Sequence, residues 1–261
     1  MPIIPRWGAY ALSVAVGLGF FAAPFAVAVW RDERGLILAV AGAAVFLLTA
    51  LAGAVTAARL PDWPAARFAA APALFSLAAY GFFLLVETDA ARLGAAAAAT
   101  GLLLLYFSQL EKVASGRGAK NVTDLLHLLH ALHAVTLFCG FVFVFGIDAY
   151  FDVTGPLAAG VVATVSTIVA WQSLPAATGA ARQTALILSA AFGALGAELY
   201  LSFSFLPTPG IVNATAAAVL FSSALHVCRQ VFAGVPDKHE RRELAVAGAL
   251  AAIVLLSARW S

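Results

Sequence analysis

Apolar residues in this chain come in long runs separated by short polar breaks. The runs fall near 8–30, 36–58, 68–86, 93–110, 122–147, 155–173, 183–206, 210–233 and 243–259. Between them stand RDERG, RLPDWPAAR, ETDAAR, EKVASGRGAKN, TPG and VPDKHERRE, none long enough for a separate soluble domain. At 1.5 Å per residue, roughly 17–25 apolar residues cross about 30 Å of hydrocarbon. Inside hydrocarbon each backbone N–H and C=O must be satisfied within its own segment, so each run is predicted to be a helix. The pattern predicts an all-α, polytopic transmembrane helix bundle of eight or nine spanning helices, with residues 1–261 forming a single integral membrane domain. The runs at 93–110 and 243–259 are the shortest.

Composition agrees with lipid as the solvent. Hydrophobic residues make up 63% of the 261 residues and charged ones 11%, whereas a soluble domain is nearer half and a quarter. Arg6 precedes the first run, but that run exceeds the roughly 7–15 residues of a signal-peptide core, so a retained spanning helix is expected. With the N-terminus inside, only Arg31, Arg34, Arg92 and Arg259 of the 15 Lys and Arg fall on the outer side. The positive-inside rule therefore predicts the cytoplasmic membrane with a cytoplasmic N-terminus. The net charge of +2 is small and forms no basic stripe, which speaks against nucleic acid as a partner. The expected partners are the lipid bilayer and a membrane protein.

Small residues allow helices to approach closely in lipid. Ser189, Gly193 and Ala197 recur every fourth position in the seventh run; Ala214, Ala218 and Ser222 do so in the eighth, on a ridge that reaches His226. Pro24 should kink the first run, and Pro156 suits the first turn of the sixth. Asn121 with Asp124 reads as a helix start.

A charged group at the bilayer centre costs at least about 2.5–3.5 kcal/mol, so deep polar residues are where function can leave a mark. Four positions qualify: His130, His133, His226 and Glu198. The triplet His127, His130 and His133 turns through about 120° around a helix and does not converge on a point. His130 and His226 share a depth of roughly 7.5 Å on the inner side, which suits an axial pair for heme or two ligands of a metal. Glu198 lies roughly 6 Å on the outer side, where its carboxyl must keep its proton or find a partner. A protonated Glu198 that ties helices together is one reading; the alternative makes it the centre of a proton-coupled transporter of a small or lipidic solute. Cys139 and Cys228 fall inside apolar runs without a CxxC spacing and read as buried hydrophobes.

No GxSxG, HExxH, P-loop or GxGxxG stands in its required context. The leading expectation is thus a non-enzymatic membrane component or assembly subunit, without a cofactor; the transporter and a heme-binding redox subunit are the alternatives. FSQLEKVASGRGAKNVTDLLHLLHALHAV and GAELYLSFSFLPTPGIVNATAAAVLF together resemble an uncharacterised multi-pass membrane protein family of reduced-genome candidate-phylum bacteria. The resemblance covers about residues 105–235 and implies no activity for Glu198 or the histidines.

Overall fold

A computed structural model describes residues 34–57, 65–115, 118–151, 155–174 and 180–232, with isolated positions beyond 245. Seven helices run through them: α1 Arg34–Ala57, α2 Ala65–Leu85, α3 Asp89–Ala114, α4 Gly118–Phe151, α5 Gly155–Ser173, α6 Ala180–Ser204 and α7 Gly210–Phe232. No strand occurs among the described residues. Five stretches are long and apolar enough to cross a membrane: Asp89–Ala114, Asp124–Ile147, Gly155–Ser173, Gln183–Ser204 and Gly210–Val231. Val40–Thr56 in α1 and Ala70–Leu85 in α2 are shorter apolar stretches. The expected helix at 8–30, with Pro24, and most of that at 243–259 lie outside the described residues, so a count of eight or nine spans stays an expectation.

Two helix boundaries differ from the reading of the sequence. ETDAAR, expected as a connection, starts α3: the Thr88 side chain accepts from the Ala91 N–H at 3.3 Å, and Asp89 sits in the first turn. A hydroxyl cap and an acid at the N-terminal dipole favour a start there. Arg92 closes the turn by donating through Nε to the Val86 carbonyl at 2.7 Å. The shortest run among the described helices therefore becomes one of 26 residues. At the other boundary, α4 begins at Gly118, before the expected start at Asn121–Asp124, and runs for 34 residues. Good helix formers in SQLEKVA carry α3 past its apolar part.

Contacts group the chain into two compact units, Met1–Leu132 and His133–Ser261. In the first, α1, α2, α3 and the early turns of α4 enclose Phe68, Phe75, Leu103, Tyr106, Leu110 and Leu125, all at most 1% exposed. Pro72 lies within α2 and has no N–H to give the Phe68 carbonyl. The Tyr106 hydroxyl of α3 donates to that carbonyl at 2.9 Å, while Ser76 Oγ donates to the Pro72 carbonyl at 2.8 Å. A tyrosine at 0% exposure thus places its one polar atom where proline leaves the helix short of a donor.

In the second unit α6 packs tightly on α5 and also meets α7. The tightness has a local cause. A Cβ built on Gly193 would overlap Thr167 Oγ1 and lie 2.9 Å from the Ala163 carbonyl oxygen. One built on Gly196 would overlap Ser166 and sit 3.5 Å from Phe221 of α7. The expected ridge of Ser189, Gly193 and Ala197 is thus shared differently: Ser189 and Gly193 are buried, but Gly196 rather than Ala197 forms the close contact. Phe145 of α4 and Tyr200 of α6 meet at 4.9 Å between ring centres, and Phe192 meets Phe221 at 5.6 Å. Asn213, 3% exposed, ties the turn between α6 and α7 through its Nδ2, which donates to the Phe203 carbonyl at 3.0 Å and the Thr208 carbonyl at 3.3 Å. The Thr208 hydroxyl donates to Asn213 Oδ1.

Candidate functional site

The three histidines of α4 turn steadily from surface to core. His127 is exposed, His130 is half-buried in the first unit, and His133 is 3% exposed at the start of the second. A spacing of three on a 3.6-residue helix turns each successive ring by about 60°, so no two share an environment.

His133 meets the last turn of α5. Its Nε2 lies 2.9 Å from Gln172 Oε1 and its Nδ1 2.9 Å from Ser173 Oγ. The amide oxygen only accepts, so Nε2 carries the hydrogen and Nδ1 is left to accept from the serine hydroxyl. Gln172 is 1% exposed and Ser173 8%, with Thr136 at 0% one turn along α4. Gln172 Nε2 is buried without a partner among the described residues.

Hydroxyl, imidazole and an orienting acceptor in sequence form the geometry of a nucleophile and its base. Here the orienting group is a neutral amide, which cannot stabilise an imidazolium as a carboxylate does. Both ring nitrogens are occupied by neighbours, so a metal would have to displace one of them. The cluster acts as a polar tie between α4 and the end of α5. Gln172, its third member, was missed in the sequence; its only signal was an amide and a hydroxyl side by side in WQSLP at the end of an apolar run.

His226 is exposed, although the small-residue ridge of α7 leads to it. Ala214 and Ala218 on that ridge are buried at 0% and 5%, Ser222 is half-buried, and the ridge emerges at the histidine. Both His226 nitrogens face its own helix: Nε2 lies 2.8 Å from Gln230 Nε2 and Nδ1 lies 3.5 Å from Arg229 Nη2. His130 belongs to the first unit and His226 to the second. Among the described residues no three His, Cys, Asp or Glu side chains are grouped as metal ligands. Cys139 is buried and Cys228 half-buried, both as free thiols.

Glu198 occupies a different kind of place. The packed side of α6 carries Ser189, Phe192, Gly193, Gly196, Tyr200 and Phe203, all buried. Opposite them, Ile187, Ala191, Ala194, Glu198, Leu201 and Phe205 are all exposed. Ile187 reaches 62% and Phe205, just past the helix end, 83%. At 100° per residue the two rows lie on opposite sides of the helix, roughly 170° apart. Glu198 makes no hydrogen bond or ion pair among the described residues. A carboxyl therefore stands in the middle of an otherwise apolar outward stripe.

No protein-family model, curated protein or solved structure matches the chain.

Proposed function

We propose that the protein is a non-enzymatic component of a larger assembly in the cytoplasmic membrane, and that the outward stripe of α6 is the face by which it joins that assembly. The observation that carries this reading is the exposure of Glu198 among apolar neighbours. Left against lipid, that carboxyl would cost several kcal/mol. Covered by another helix offering a polar group, it supplies one of the interhelical hydrogen bonds that hold membrane bundles together. A proton-coupled pathway would require the carboxyl to face other helices of its own chain, and the side of α6 that does so carries Ser189, Gly193, Gly196 and Tyr200 instead. A heme held by His226 would have to displace Gln230 or Arg229 from its ring. The positive residues Lys112 in the last turn of α3, Lys120 in the first turn of α4 and Arg117 between them in the sequence support a cytoplasmic N-terminus.

The test is a photoreactive benzoylphenylalanine at Ala194, expressed in the native membrane and irradiated. The expected product is a protein adduct of one defined mass. Labelling of lipid alone, with Ala194 and Leu201 both probed, refutes the reading.

A further inference from the structure

We infer that Arg229, with His226 beside it, binds the phosphate of an anionic phospholipid at the end of α7. The inference is independent of what covers α6.

Depth is the first argument. Arg229 stands in the last turn of α7, two residues before the end of the apolar stretch Gly210–Val231. Hydrocarbon gives way to headgroups at that level, and phosphates stand there at either surface of a bilayer. An arginine so placed keeps its stem in the apolar layer and sends its head to the interface.

Charge is the second. A guanidinium is always ionised, yet α7 holds no Asp or Glu from Gly210 to Phe232. Among the described residues no carboxylate pairs with Arg229. The sequence that follows, VPDKHERRE, sets Asp237, Glu240 and Glu243 against Lys238, Arg241 and Arg242, so it brings no excess of acid.

Donor geometry is the third, and it calls for an acceptor at one place. Arg229 Nε and Nη1 are buried without a hydrogen-bond partner. Gln230 Nε2, which can only donate, lies 2.8 Å from His226 Nε2. That ring nitrogen therefore accepts, and the neutral imidazole carries its hydrogen on Nδ1. Nδ1 in turn lies 3.5 Å from Arg229 Nη2, donor against donor. A phosphate oxygen accepts from both and replaces the mismatch with charge-assisted bonds. His226 is exposed, so the guanidinium reaches the headgroups by turning past the ring, and it gives up no good hydrogen bond in doing so. Unpaired charged donors are costly to keep buried, which favours that turn.

The experiment is native mass spectrometry of the full chain, released from mild detergent after addition of equal amounts of phosphatidylglycerol or phosphatidylcholine. The wild type should retain phosphatidylglycerol in preference. Arg229→Gln should lower that retention about 5-fold, the effect of one basic residue at an anionic surface. His226→Ala, at an exposed position where folding is least disturbed, should lower it about 2- to 10-fold by removing one hydrogen bond. Arg182→Gln, in the first turn of α6, is the control and should change retention less than 2-fold.

Equal retention of the two lipids by the wild type overturns the inference, as does an equal loss in Arg182→Gln, which would mark general attraction to charge. Unchanged retention in Arg229→Gln or in His226→Ala also overturns it; should Arg229→Gln fail to fold, His226→Ala decides. Displacement of the lipid by millimolar inorganic phosphate would make the ligand a free anion and rule out the phospholipid.

Discussion

The hydroxyl of Tyr106 offers the sharpest quantitative test of how this chain holds together. Pro72 deprives α2 of one N–H, and Tyr106 donates to the Phe68 carbonyl that the N–H would have served, at 2.9 Å. Tyr106→Phe removes one oxygen from a residue with 0% exposure and leaves the ring packing in place. Interhelical hydrogen bonds in membrane proteins average about 0.6 kcal/mol and reach about 1.7. The Tyr106 bond belongs in the upper half of that range because its acceptor has lost its intrahelical donor. The expected cost is therefore about 1–1.7 kcal/mol, measured by reversible unfolding in mixed micelles. The decisive step is a cycle with Pro72→Ala. Alanine restores the N–H at position 72, so in that background Tyr106→Phe should cost less than about 0.5 kcal/mol, a coupling outside the additivity error of about 0.3–0.5. Isotope-edited infrared at a ¹³C-labelled Phe68 carbonyl gives an independent reading: its band should rise in Tyr106→Phe and fall back when Pro72→Ala is added. Equal costs in both backgrounds refute the reasoning, because the hydroxyl would then have no connection with the proline.

Other substitutions test the second unit. Gly193→Ala should destabilise it by about 1–3 kcal/mol, as overpacking does. Adding Thr167→Ala should recover only part of the loss, since the Ala163 carbonyl still lies 2.9 Å from the new methyl; unfolding titrations of the single and double variants check this. Ser173→Ala should cost about 1 kcal/mol by removing the donor to His133 Nδ1. Gln172→Met should cost less, because the buried amide nitrogen without a partner leaves together with the lost bond; thermal unfolding in detergent ranks the two. Asn213→Ala should loosen the turn between α6 and α7 and speed proteolysis around residues 205–209, with a stability loss of about 1–2 kcal/mol.

Much of the helical layout was legible because apolar run length is a direct physical consequence of bilayer thickness. The run at 155–173 matches α5 residue for residue, and Pro156 sits in its first turn as expected. Helix ends were less legible. Past the apolar part a helix continues on capping and propensity alone, which is how Thr88 and Asp89 turned an expected connection into the start of α3. The outward side of α6 could not be read at all. In water a helix is polar outside and apolar inside, so periodicity names the buried face; in lipid both faces are apolar. Ile187 and Ala194 look no different from Phe192 and Ala197 in the sequence, yet the first two are exposed and Phe192 is buried. Glu198 was recognisable as out of place, but its direction was not. The His133 tie was hidden for another reason: Gln172 lies 39 positions away, and no local pattern links the two.

The seam between α5 and α6 rests on contact distance at Gly193 and Gly196 rather than on the amount of oily surface removed from water. Exchanging phospholipid for a mild surfactant takes away none of those contacts, since neither solvent enters a gap too narrow for a methyl group. The two helices should therefore stay joined through extraction and purification. Failure on solubilisation is expected to begin elsewhere, and to leave this pair as the last folded remnant.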